Sequence, residues 1–211
     1  GVVPLGTGND FAKACTIPLH WEDAAALLAD RLQGGVAARN IDVGRMNGRY
    51  FANGAGIGFD ARVTAIARRI RLPIGDFVYL LAVLKGLWEG LTTPDVEITC
   101  SDVAMNGPVT LVSISNGPWI GGMFRIAPDA VNDDGELDLV VVNPLSRMRI
   151  LRLLPKLLKG THTDEPEMSA HRVTDCVVTA SEPVPSHLDG EVQPPQTHFD
   201  LEVRVGALGL L

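Results

Sequence analysis

Residues Pro4-Leu5-Gly6-Thr7-Gly8-Asn9-Asp10 form the first arrangement in the chain that could do chemistry. An apolar run, a glycine turn and a helix start would aim unpaired first-turn amides outward, where the helix dipole favours an anion. Gly6 and Gly8 would let a phosphate approach the backbone, and Thr7 and Asn9 offer a hydroxyl and an amide. Asp10 could hold a metal ion or order a lysine. On spacing alone, a plain capped turn explains the same residues. A second arrangement is Leu188-Asp189-Gly190-Glu191, between a proline-rich approach and a strand. It reads either as a hairpin turn with solvated acids or as a carboxylate on a tight turn, a general base for a hydroxyl. A third, Asn132-Asp133-Asp134-Gly135-Glu136, offers acidic oxygens and turn carbonyls to a hard cation such as Mg²⁺ or Ca²⁺, or is an acidic turn before a strand.

Three further features accompany these. Asn53-Gly54-Ala55-Gly56-Ile57-Gly58 and Asn116-Gly117-Pro118-Trp119-Ile120-Gly121-Gly122 are glycine-rich strand ends, which mark bulges or a close approach by a ligand, and two of them point to a shared cleft. A segment at 146–159 puts Ile150, Leu151, Leu154, Leu157 and Leu158 on one helical face beside five basic residues. It suits a packed amphipathic helix or one lying on an anionic membrane. The five histidines are scattered without metal-ligand spacing, and His187 stands out only because it precedes Asp189 by two positions.

The elements that must position these residues fall into two textures. Gly1 to Leu5 reads as the end of a buried strand, followed by a short helix capped by Asn9 or Asp10 and a second at about 22–33, ending at Gly34-Gly35. From there, short runs at 37–43, 49–55, 96–100, 108–115, 137–142, 172–180, 191–193 and 198–205 carry β-branched residues or alternation between turn residues. The GRMNG stretch at 44–48 has hairpin-turn composition. Helical inserts are expected at about 61–69, 76–91 and 146–159. The predicted fold class is α+β: residues 1–35 as the remnant of an α/β nucleotide-binding domain, and 36–211 as an antiparallel β-sandwich domain, its last strand returning toward the first.

Composition narrows the function. The 211 residues are 46% hydrophobic and 20% charged, enough for a real core. A net charge of −7 excludes general nucleic-acid binding and argues against whole-surface adhesion to anionic lipid, leaving local basic patches open. Cys15, Cys100 and Cys176 are widely spaced and odd in number, as free buried thiols in a reducing compartment would be. No stretch reaches the length of a membrane span, and a cytoplasmic protein is expected.

Taken in order, PLGTGNDFAK, YFANGAGIGFDARV, SNGPWIGGMFRIAPDAVNDDGELDLVVV and HLDGE resemble the diacylglycerol-kinase catalytic family, which includes sphingosine kinases and related bacterial lipid kinases. The resemblance covers essentially the whole chain. It implies an α/β nucleotide-binding domain like that of NAD kinases, a β-sandwich domain and an active site between them. It implies transfer of the ATP γ-phosphoryl group to a lipid alcohol, with Gly6, Thr7, Asn9 and Asp10 at the phosphates and their Mg²⁺. Asp189 would accept the hydroxyl proton, with Glu191 supporting the turn or the metal network. A structural Mg²⁺ would sit on Asp134 with the carbonyls of Val131 and Glu136. Transient contact with the inner face of a membrane is implied, and a homodimer is compatible with it. The family's GGDGT-type nucleotide loop lies upstream of these motifs and is not among the residues, so this stretch alone is expected to be inactive. Rival readings are a soluble-substrate kinase of the NAD kinase superfamily and a non-catalytic lipid-binding fragment.

Overall fold

Helices α1 (Asp10–Ala14) and α2 (Trp21–Gln33) come first in the computed structural model, which describes residues 1–211. α2 runs out at Gly34 and Gly35, the latter at φ 62°, where a glycine avoids the Cβ penalty. The buried strand predicted at Gly1 to Leu5 does not form: no strand lies beside these residues to receive their backbone hydrogen bonds, and Leu5 is exposed. An apolar run without a ladder partner is not a strand.

Ten strands follow. β1 (Arg39–Met46) and β2 (Arg49–Phe51) form a hairpin around Asn47 and Gly48, both at positive φ, as the two-residue turn of a twisted hairpin requires. Then come β3 (Gly54–Gly58), α3 (Phe59–Ala67), α4 (Phe77–Glu89), β4 (Asp95–Cys100), β5 (Ala104–Pro108) and β6 (Leu111–Ser115). β7 (Leu137–Val142), α5 (Arg147–Lys159), β8 (Met168–Val173), β9 (Asp175–Leu188) and β10 (Glu191–Leu210) complete the chain. α5 is capped as its sequence requires: Arg149 N donates to Ser146 Oγ at 3.2 Å, and Gly160 ends the helix in the left-handed region.

All pairings between strands are antiparallel, in the order β2-β1-β10-β9-β3-β6-β7-β8, with β4 joining β9 and β5. The fold is thus the antiparallel sandwich with helical inserts that the sequence predicted. β9 and β10 are longer than read from sequence, 14 and 20 residues. Pro194 and Pro195 lack N–H groups, yet β10 absorbs them as register shifts between Gln193 and His198 and bends instead of ending. The first half of β9 pairs with β4 and the second with β3, which carries the strand from one layer to the other.

The inner faces make one core of 21 buried residues, including Ile98, Val112, Ile114, Leu139, Val178 and Phe199. β4 shows the strand period: Val96, Ile98 and Cys100 point in while Asp95, Glu97 and Thr99 point out. Each large apolar side chain buried this way contributes about 1.5–3 kcal/mol. α3, α4 and α5 pack around a second cluster containing Phe59, Val63, Val83, Leu87 and Ile150. Leu210, near the end of β10, meets Cys15 and Ile41 in a small cluster beneath the first helices. Cys100 and Cys176, distant in sequence, are cross-strand neighbours with Sγ atoms 2.9 Å apart. No helix is long and apolar enough to cross a membrane.

Candidate active site

Pairing of Gly54 with Ser115 across β3 and β6 brings the two glycine-rich strand ends side by side. They line a cleft of about 840 Å³, whose other walls are the Gly6–Asp10 loop, the α3–α4 connection and the turn at Asp189 and Gly190. The shared cleft anticipated from the glycines therefore exists.

Asp189 sits at φ 47°, in the left-handed region that aspartate tolerates better than most residues. Its carboxylate accepts three backbone N–H groups: Asn53 at 2.9 Å and Gly54 at 2.8 Å on Oδ1, and Ala52 at 2.7 Å on Oδ2. Its own N–H donates to the Gly54 carbonyl at 2.8 Å. A carboxylate has about four acceptor positions, so roughly one, on Oδ2, is left to face the cleft. The neighbouring Asn53 side chain donates to the Trp119 carbonyl at 2.9 Å, and its Oδ1 is buried without a partner. Glu191 does not line the cleft. It pairs at 2.7 Å with Arg68, which caps the end of α3, lines the cleft and also donates to the Gly190 carbonyl at 3.0 Å, so the pair clamps the turn.

In the Gly6–Asp10 loop, Asn9 closes the turn on itself: its Oδ1 accepts from Gly6 N at 3.0 Å and its Nδ2 donates to Gly6 O at 2.8 Å. The amide expected to meet a phosphate is thus committed to loop shape, while Thr7 is exposed and lines the cleft. The Asp10 carboxylate accepts from Gly122 N at 3.0 Å and lies 3.9 Å from Lys13 Nζ. Burial pushes its carboxyl up, the Gly122 amide and Lys13 pull it down, and Asp76 pushes it up again. Lys13 also lies 3.8 Å from Asp76 and donates to the Gly122 carbonyl, so it ties α1 to the glycine loop and to the start of α4.

Behind the turn lies a buried polar chain. His187 Nε2 and Asp60 Oδ2 are 2.9 Å apart, with side chains 3% and 8% exposed. Gly190 N–H donates to His187 Nδ1 at 3.3 Å, which puts the ring proton on Nε2, facing Asp60. Tyr79 OH donates to Asp60 Oδ1 at 3.3 Å and shares a 2.6 Å hydrogen bond with Thr64 Oγ1. Burial holds the Tyr79 hydroxyl well above its ordinary range, and the Asp60 charge adds to it. Gly56 must be glycine here, since a Cβ would stand 2.1 Å from Asp60 Oδ2.

Residues 54–211 match the family described as the YegS C-terminal NAD kinase beta sandwich-like domain. The chain belongs to this family. It is 31% identical over 192 residues to a diacylglycerol kinase of Bacillus subtilis, covering 90% of this chain and 62% of that protein. A diacylglycerol kinase of Mycobacterium tuberculosis is 34% identical over 178 residues, covering 82% of this chain and 56% of that one. A probable lipid kinase YegS-like protein of Pseudomonas aeruginosa is 36% identical over 191 residues, covering 90% and 60%. The chain thus spans about six tenths of the length of these relatives. A crystal structure of a putative diacylglycerol kinase from Bacillus anthracis shares the fold with a TM-score of 0.75 at 24% identity, covering 97% of this chain and 65% of that one.

In this YegS-type domain the acidic turn lies apart from the cleft, which none of residues 131–136 lines. Buried Asp42 holds it in place, accepting from Gly135 N and Gly206 N at 2.7 Å each. Arg172 pairs with Asp134 and, at 3.2 Å, with Glu136. Val131 is exposed beside them. The oxygen donors suit a hard cation, but the turn already carries its counter-ion within the chain, and a metal would have to displace Arg172 from Asp134. Sequence reasoning set His187 aside and did not single out Asp60 or Lys13. His187 and Asp60 have no local signature, being partners only through the fold.

Proposed function

We propose that the cleft is the acceptor-side part of a kinase active site, in which the γ-phosphoryl group of ATP passes to a lipid hydroxyl such as that of diacylglycerol. The observation that carries this reading is Asp189: a carboxylate fixed on a strained turn by three amides, with one acceptor position turned to the cleft. Such a group can take a hydroxyl proton at Oδ2 without moving. The relatives named as diacylglycerol kinases and lipid kinases support the lipid as acceptor.

The Gly6–Asp10 loop would meet the nucleotide phosphates through its backbone and Thr7, with Asn9 holding the loop closed. Asp10 is the cleft residue whose chemistry fits Mg²⁺: both oxygens share one amide donor, and burial leaves the carboxylate short of solvent. Bound there, Mg²⁺ would neutralise charge on the transferred phosphoryl group. Lys13 holds Asp10 and the Gly122 loop in register. Phosphoryl transfer depends chiefly on positioning and charge, so these fixed groups would supply most of what this part of the protein contributes.

The test is transfer of labelled phosphate from ATP to lipid alcohols by the longer protein that contains this chain. Labelled diacylglycerol or another lipid alcohol supports the reading. Labelled NAD with unlabelled lipid would replace it with a soluble-acceptor kinase. Lipid binding without transfer would leave a lipid-binding module.

A further inference from the structure

α4 is apolar on two opposite faces, with Lys85 and Glu89 its only charged residues. Ala82, Val83, Gly86 and Leu87 are buried, in the cluster that α4 shares with α3 and α5. The opposite face carries Phe77, Leu81, Leu84 and Trp88, exposed by 60%, 39%, 42% and 85%. Their spacing puts all four on one stripe of the helix. A contiguous exposed apolar stripe on a helix marks a surface that meets a partner or a membrane. Here one side has a core and the other has water.

Charge says what covers that stripe. Segments 61–91 and 147–159 together hold ten of the chain's eighteen Lys and Arg residues but two of its twenty-five acids. The rest of the chain has the remaining eight basic residues against twenty-three acidic ones. Arg69 and Arg71, before the stripe, have no acidic partner, nor do Arg147 and Arg152 of α5. The start of α5 adjoins the end of α4, where Arg147 Nη2 would lie 3.9 Å from a Cβ on Gly90. Of the ten, Arg62, Arg68, Lys85, Arg149 and Lys156 are paired with glutamates, which leaves Arg69, Arg71, Arg147, Arg152 and Lys159 as unpaired positive charge on the α3–α4 connection and α5. That pairing of bulky apolar groups with a basic surround is the pattern of an anionic membrane surface.

We infer that α4, flanked by the α3–α4 connection and the start of α5, is the face that docks on an anionic bilayer. The stripe begins where the cleft does: Leu72, Asp76, Val78 and Tyr79 line the cleft wall. Docking there would seat Phe77, Leu81, Leu84 and Trp88 among the headgroups and bring the cleft mouth to the surface. This deepens the lipid-acceptor reading by naming the surface that presents the acceptor, and its test does not depend on phosphoryl transfer.

The test is co-sedimentation of the longer protein with vesicles of phosphatidylcholine alone or mixed with phosphatidylglycerol. Binding to the mixed vesicles, weakened by salt, is expected, with little to the neutral ones. Leu81→Glu/Trp88→Glu should lower affinity for the mixed vesicles by about tenfold or more, with thermal unfolding and turnover of a water-soluble acceptor unchanged. Arg69→Glu/Arg71→Glu, which leaves the helix packing alone, should lower it by about tenfold as well. Unchanged binding by both variants, or equal binding of the parent to both vesicles, overturns the inference. So does a parent that binds no vesicle but sediments as a dimer that Leu81→Glu/Trp88→Glu dissociates, since the stripe then belongs to a second copy. Vesicle binding with no transfer to any lipid would retain the docking face while removing the kinase reading.

Discussion

His187 of β9 and Asp60 of α3 meet at 2.9 Å although 127 positions separate them, and the contact joins the Asp189 turn to the helical insert. Its other bonds run to the Gly190 amide on one side and the Tyr79 hydroxyl on the other. Removing one partner of a buried polar pair leaves the other unpaired in a low-dielectric site. Asp60→Ala is therefore expected to cost about 2–4 kcal/mol of unfolding free energy in urea, and Asp60→Asn, which keeps an acceptor, about half of that. Gly56→Ala should resemble Asp60→Ala, since the added methyl lands on the same pair. A loss in Asp60→Ala no larger than that of a surface substitution would show that the pair does not anchor the turn.

Asp189 is bound to have two separable effects, one on stability and one on turnover. Asp189→Asn keeps the left-handed conformation accessible and can still accept from Asn53 and Gly54, but sets an amide against the Ala52 N–H. It should cost about 1 kcal/mol in stability and lower turnover of the longer protein by about 10²–10⁴-fold. Asp189→Ala loses all three acceptor bonds at a positive φ and should be the less stable of the two by about 1–3 kcal/mol. Urea unfolding of both variants, beside the phosphorylation assay, separates base from anchor. Near-parental turnover in Asp189→Asn would end the proton-acceptor role.

These two residues also show how far the sequence could be read. Asp189 was legible because Asp-Gly between a proline-rich run and a strand is a local turn signal, and Asn47-Gly48 was legible for the same reason. Asp60 was not, because nothing near an aspartate at a helix start announces a histidine from the far end of the chain. The strand expected at residues 1–5 failed because hydrophobicity marks what can be buried, not what lies alongside to pair. β10 was read as two pieces because Pro194-Pro195 ordinarily stops a ladder, and only the fold shows it bending past them. The exposed stripe on α4 was hidden too, since an apolar segment looks the same whether one face or both are covered.

The three thiols make a simpler test. Cys15, Cys100 and Cys176 are all free and buried, and burial pushes each thiol up. The thiolate is the reactive species, so native protein at neutral pH should react with a thiol reagent at least about tenfold more slowly than denatured protein, at all three positions. Mass-mapped labelling with and without urea measures this. Fast labelling of Cys100 or Cys176 in the native protein would mean that the β4–β9 edge opens readily.

Asp138 gives the fold a pH signature. It lies on β7, and burial pushes its carboxyl from 3.8 to about 6, with Arg172 pulling down and Asp134, Asp129 and Glu136 pushing up. Because the folded value is the higher one, the native chain holds more protons than the unfolded chain between 3.8 and about 6. The contribution of Asp138 to stability therefore falls as pH rises through that window, with the full penalty present above about 6 and none below 3.8. Asp138→Asn abolishes the charge. It should be more stable than the parent by about 1 kcal/mol at neutral pH, once solvent screening of a partly accessible group is allowed for, and indistinguishable from it in acid below 3.8. Other carboxylates titrate over the same range, so the informative quantity is the difference between parent and variant in urea unfolding at each pH. A difference that does not change with pH would mean that Asp138 ionises at the same pH in both states and that the acidic surround of Arg172 leaves its proton alone.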